Sequence, residues 1–147
     1  MYILMDIDGV IADPRHRNEF AGGDWKEWNS YSHADEVIDF GRDLFNFYNS
    51  HSKVIFLTSR FESNRSKTRL WLYNKLGTVV LDDRLFMRPD DNYDECHKIK
   101  IDLLRHTIIP EHGLPRLFIE DNETNAKAVH EEFNVPYLIV NFLGVCL

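Results

Sequence analysis

Five short apolar runs recur along the chain: Tyr2–Met5, Val54–Leu57, Leu85–Met87, Leu117–Ile119 and Tyr137–Val140. Their length suits buried strands better than helices. Helical spacing fills most of the gaps. Val37, Phe40, Leu44 and Tyr48 share one helical face after Ala34. A second helix is expected over Ser63–Leu76, with Ser63 as its N-cap and Leu70 and Trp71 on its length. A third holds Ile99, Leu103 and Leu104, and a fourth follows Asn122 with Ala126, Val129 and Phe133. Strands alternating with helices predict an α/β fold, a Rossmann-like parallel sheet of about five strands with helices on both faces. Ligands in such sheets bind beyond the carboxyl ends of the strands.

One stretch breaks the pattern. Asp13 to His33 has little periodicity and carries Gly22-Gly23, Trp25, Trp28 and Tyr31. It follows the first strand, so it belongs at the functional edge, as an irregular loop or small flap. The alternative is a surface excursion that its aromatics simply pin down. No other insertion is large enough for more than a minimal cap.

Composition narrows the picture. The 147 residues fit one domain, and 44% apolar residues can supply its core. Seventeen basic against twenty-four acidic residues give a net charge of −7. That argues against a non-specific nucleic-acid coat or an anionic-membrane binder, but not against a nucleic-acid end held by a local positive cluster. Cys96 and Cys146 stand in no metal-binding spacing and read as reduced thiols. There is no basic signal region and no apolar stretch of ~18 residues, so a cytoplasmic protein is expected.

The chemistry gathers where apolar runs end. Met5-Asp6-Ile7-Asp8-Gly9-Val10 puts two carboxylates on one side of an extended backbone, and Gly9 lets the chain turn away. Such a pair needs a cation or a shared proton, so one acid could hold a metal and attack while the other handles protons. A plain polar strand end is the other reading. Thr58-Ser59-Arg60 ends the second run with two hydroxyls and a guanidinium, groups suited to phosphate oxygens or to capping the next helix. Lys98 offers a cation early in the third helix, or is simply solvated. Glu120 and Asp121 end the Leu117–Ile119 run, with hard oxygens that suit Mg²⁺ or an acidic helix start.

In this order, the motifs resemble those of the haloacid-dehalogenase-like (HAD) superfamily: an Asp-x-Asp strand end, a Ser or Thr strand end, a downstream Lys and a strand-end acid pair. Asp6 to Arg17, Asp24-Trp25, Thr58-Ser59-Arg60, Phe86-Met87-Arg88-Pro89, Asp94 to Lys98 and Ile119-Glu120-Asp121 look more narrowly like the 3′-phosphatase domain of bacteriophage polynucleotide kinase/phosphatase. Val10 replaces a usual Thr, Ser59 a usual Gly, and Glu120 the first Asp of the acid pair. No Gly-rich kinase loop occurs in the sequence.

The resemblance implies a single phosphatase domain over residues 1–147. Asp6 would be the nucleophile, forming an aspartyl-phosphate, and Asp8 the acid and base. Thr58 and Lys98 would bind the phosphoryl oxygens. Mg²⁺ would sit on the Asp6 carboxylate, the Asp8 carbonyl and Asp121, with Glu120 acting through water. Arg17, Ser59 and Arg60 would contact substrate, a 3′-phosphate on a nucleic-acid end or a nucleotide. The compartment would be the host cytoplasm if the chain is phage-encoded. Three other readings stay open: a 5′(3′)-nucleotidase for free nucleotides, a general small-metabolite phosphatase, and a non-catalytic phosphate- or partner-binding module on the same fold.

Overall fold

The apolar runs become parallel strands of one sheet in the computed structural model, which describes residues 1–20 and 23–144. Gly22, half of the glycine pair, and Cys146 lie outside the described residues. In chain order the elements are β1 (Tyr2–Met5), β2 (Ala12–Asp13), α1 (Trp25–Ser30), β3 (Glu36–Val37), α2 (Asp39–His51), β4 (Lys53–Phe61), α3 (Arg65–Leu76), β5 (Leu85–Arg88), α4 (Cys96–Leu103), α5 (Ile109–His112), β6 (Leu117–Glu120), α6 (Glu123–Phe133) and β7 (Tyr137–Ile139). A π turn, Leu104–Ile108, joins α4 to α5.

The sheet order is β5-β4-β1-β6-β7. β1 is central, with Met5 opposite Phe56 of β4 and Ile119 of β6. All four of its residues are buried. Alternation sends Ile3 and Met5 to one face, into a core with Phe45, Phe56, Trp71 and Leu72. Tyr2 and Leu4 go to the other, with Leu104, Ile108, Phe118 and Val129. Thus α2 and α3 cover one face, and the helices after β5 cover the other. Each fully buried Leu or Phe contributes about 1.5–3 kcal/mol by leaving water. Among the described residues no helix is long and apolar enough to cross a membrane.

Local details depart from the sequence expectations. Phe40 is 72% exposed, and Gly41 and Phe45 turn inward instead. Ser63 does not cap α3. It sits in a 3₁₀ turn, its amide donating to Asp90, and Asn64 occupies the cap position. The Asp13–His33 stretch is a small helical lobe rather than an irregular loop. β2 and β3 pair antiparallel at its base, Ala12 with Val37 and Asp13 with Glu36. Between them come a 3₁₀ turn at Arg15–Phe20, then α1, then a second 3₁₀ turn at Tyr31–Ala34. Asp24 caps α1 by accepting from the Lys26 amide at 3.0 Å.

Gly41 explains how α2 approaches the chain leaving β1. A Cβ there would lie 1.8 Å from the Val10 carbonyl oxygen, a backbone atom with no room to yield. We expect Gly41→Ala to destabilise the protein by about 3 kcal/mol. Thermal unfolding followed by circular dichroism would show it, and an unchanged melting temperature would refute the close approach.

Candidate active site

The chain leaves β1 through a tight loop that sets the two aspartates. The Asp6 amide donates to the Ile119 carbonyl, which keeps Asp6 in register with β6. The Ile7 carbonyl then accepts from the amides of Val10, Ile11 and Ala12. Gly9 adopts φ +81°, and a Cβ on it would lie 2.3 Å from Asp121 Oδ2. The loop can close on Asp121 only because that residue is glycine. Asp6 and Asp8, one residue apart, enter different surroundings.

Asp6 faces Lys100, with Nζ 3.1 Å from Oδ1. The same ammonium lies 2.6 Å from Glu120 and is itself buried. Glu120 also accepts from the amides of Asp121 and Asn122 and from Asn125 Nδ2. Lys98, expected beside the aspartates, is 57% exposed and pairs with Glu95 at 3.5 Å. Two residues on a helix differ by about 200°, so Lys98 and Lys100 cannot face the same way. The sequence held a signal for Lys100: it precedes Leu104 by four residues and Ile108 by eight, the spacing of the buried face.

Asp6, Glu120 and Asp121 each offer an oxygen within 4.8 Å of the others. Burial and then Glu120 push the Asp6 carboxyl well up, against the pull of Lys100. Burial first raises Asp121 to about 6. Asp121 Oδ2 is buried without a partner among the described residues. These hard, crowded oxygens fit a divalent cation, with Asp6 and Asp121 as the freer ligands since Glu120 is engaged. The Asp8 carboxylate is not part of this cluster.

Asp8 instead meets two guanidiniums. Arg60 Nη2 lies 2.7 Å and Arg17 Nη2 2.9 Å from its Oδ1. Both arginines are fully buried behind Asp8, whereas direct contact with substrate was expected of them. A third residue holds them there. The buried Asp35 accepts from Arg17 Nη2 at 2.6 Å, from Arg17 Nε at 2.9 Å and from Arg60 Nη2 at 3.0 Å, and it meets His16 Nε2 at 2.6 Å. Its carbonyl accepts from Trp71 Nε1. Burial opposes ionisation of Asp8, but Arg60 and Arg17 outweigh it and hold the carboxyl down at about 2. Asp35 escaped the sequence analysis because it follows no apolar run and belongs to no motif.

A cleft of about 130 Å³ joins these groups. Asp6, Asp8, Ser59, Lys100, Asp121 and Asn125 form its polar side. Thr58 is fully buried, and its hydroxyl accepts from the Arg60 amide at 3.2 Å. Ser59 lines the cleft, and its hydroxyl has no partner among the described residues. Arg88 braces the approach to α4 by donating to the carbonyls of Ser59, Asn92 and Asp94. Larger grooves of about 430 Å³ lie elsewhere, lined by no carboxylates.

Known proteins can be set beside this geometry. The family model described as the polynucleotide kinase PNKP phosphatase domain matches residues 1–133. No curated protein matches the chain by sequence. A solved Pnkp1/Rnl/Hen1 complex contains a chain 20% identical, with a TM-score of 0.76, over 95% of this chain and 45% of that one. A chain of the Pnkp1/Rnl/Hen1 RNA repair complex is 20% identical at a TM-score of 0.79, over 95% and 42%. This chain therefore spans less than half the length of those two. The class C acid phosphatase from Bacillus anthracis is 15% identical at 0.65, over 98% and 67%. These neighbours share the HAD-like α/β fold. Because the family match runs over most of the sequence and takes in every cleft residue described above, the chain belongs to the family of the polynucleotide kinase PNKP phosphatase domain.

Proposed function

We propose that this chain is a Mg²⁺-dependent phosphomonoesterase that removes 3′-phosphates from nucleic-acid ends or nucleotides, with Asp6 as the nucleophile. The observation that carries the reading is the meeting of Asp6, Lys100 and Asp121 in one cleft at the carboxyl ends of β1 and β6. Family membership supports phosphate-ester chemistry, and the RNA repair complex among the structural neighbours supports a nucleic-acid substrate.

The residues divide the work as follows. Asp6 attacks phosphorus, the bond to the leaving oxygen breaks, and an aspartyl-phosphate forms. Asp8 gives a proton to the leaving oxygen, then takes one from the water that hydrolyses the intermediate. Its two arginines keep it ionised at rest, ready for the second step. A dianionic phosphoryl group in the cleft opposes their pull and raises its proton affinity for the first. Lys100 orients Asp6 and offers its charge to a phosphoryl oxygen, the role expected of Lys98. Ser59 offers its free hydroxyl. Thr58 and the Arg17–Arg60–Asp35 group position Asp8. Asp6, Asp121 and the Asp8 carbonyl would hold Mg²⁺, which supplies charge neutralisation and alignment of the phosphate.

Three outcomes test this. Asp6→Asn should abolish turnover of a 3′-phosphorylated oligonucleotide, with an unchanged circular dichroism spectrum. The wild-type protein should prefer that substrate to a 5′-phosphorylated one and to free mononucleotides. Faster turnover of free 5′-mononucleotides would favour a nucleotidase, and no turnover at all a binding module.

Lys100→Met should cut kcat by at least a hundredfold, whereas Lys98→Met should change it less than threefold. Steady-state kinetics of both variants would decide between the two lysines.

Activity should vanish in excess chelator and return with Mg²⁺ but not with Ca²⁺, whose larger coordination shell misplaces the attacking oxygen. Full activity in chelator would remove the metal from the mechanism.

A further inference from the structure

The cleft has a second side that phosphate and metal do not need. Beside the carboxylates it is lined by Pro14, Trp25 and Trp28. Trp25 and Trp28 stack in near-parallel fashion, 4.7 Å between centroids and 9° between planes. Trp28 also packs on Arg17, whose guanidinium carbon lies 4.0 Å from the ring centroid. Arg17 in turn is bonded to Asp8. A continuous chain of contacts therefore links the acid–base residue to the indole of Trp25.

Trp25 is 43% exposed even though it lines the cleft. An indole shown to solvent there is a ready apolar surface. The lobe that carries it is fixed on the far side as well. Lys26 lies 5.6 Å from the Phe61 ring centroid and 5.7 Å from that of Tyr93. The wall is thus set before any ligand arrives. What it lacks is a second flat partner.

We propose that Trp25 is the stacking platform for the terminal nucleobase of the substrate. This rests on the phosphatase reading above. A phosphoryl group uses only the charged side of the cleft, so the apolar side must serve the leaving alcohol. Among phosphate monoesters, nucleotides carry a flat π face tethered through a sugar to the phosphate. Stacking of this kind tolerates any base, so the site reads the presence of a base rather than its identity. It also gives an acidic protein a hold on a nucleic-acid end that salt does not screen.

The test compares a short 3′-phosphorylated oligonucleotide with one whose terminal residue is abasic. Trp25→Ala should raise KM for the base-bearing substrate about tenfold, and far more than for the abasic one. Trp25→Tyr should restore most of the loss. Equal effects on both substrates, or none on either, would overturn the proposal. A second arm is independent of turnover. In an Asp6→Asn background, a dinucleotide without a terminal phosphate should quench tryptophan fluorescence, and Trp25→Ala should remove that quenching. No quenching overturns the stacking platform even in an active phosphatase. Quenching without turnover in the wild-type protein upholds the platform and overturns the phosphatase reading instead.

Discussion

Too many buried carboxylates share one end of the sheet, and the site is built around balancing them. Among the described residues, Asp6, Asp8, Asp35, Glu120 and Asp121 crowd together with Lys100, Arg17 and Arg60 as their buried cations. If all five carboxylates were ionised, they would exceed these three cations by two, the charge of one divalent cation. Isolated buried charge costs several kcal/mol per ion, so an arrangement like this persists only when charges meet close partners. The balance comes in two parcels. Lys100 serves Asp6 and Glu120, and the arginine pair serves Asp8 and Asp35. Asp121, with one oxygen unpartnered, is where the balance is short.

This division lets neighbouring aspartates do different chemistry. Asp8 is held down by two guanidiniums, whereas burial and Glu120 push Asp6 up. A divalent cation on the oxygens of Asp6 and Asp121 would outweigh that push and favour the ionised carboxylate. Two carboxylates, one answering to a cation and the other to arginines, can then be tuned apart, although one residue separates them. The glycine at position 9 makes the separation possible. It brings the loop against Asp121 while the Asp8 side chain turns to the arginines.

The parts written in apolar runs were legible from the sequence. Tyr2–Met5 and Leu117–Ile119 announced strands, and the acids just beyond them stand at the cleft. The structure departs from the sequence reading where charge is buried. Lysine and arginine are usually solvated, so the reading took Lys98 and passed over Lys100, and gave Arg17 and Arg60 direct contact with substrate rather than burial behind Asp8. Their burial depends on Asp35, more than twenty residues from Arg60 in sequence and invisible to any local pattern. The lobe after β2 failed the periodicity test for a related reason. Its inward-facing residues include Arg17, Asn29, Ser32 and Asp35, all polar, so hydrophobic spacing could not reveal its helices.

That polar interior ties the lobe to the aspartates at the cleft. An apolar lobe would pack on the sheet and leave the aspartates alone. Here the lobe contributes Arg17 to Asp8, Asp35 to both arginines and Trp28 to the face of Arg17. The same lobe presents Trp25 to the cleft. The apolar wall of the cleft and Asp8 are therefore joined through one buried guanidinium. Lys26 holds the same lobe against Phe61 and Tyr93. The wall of the cleft and the field at Asp8 are thus fixed together by one small lobe, because the guanidinium that packs under Trp28 is the one that bonds Asp8.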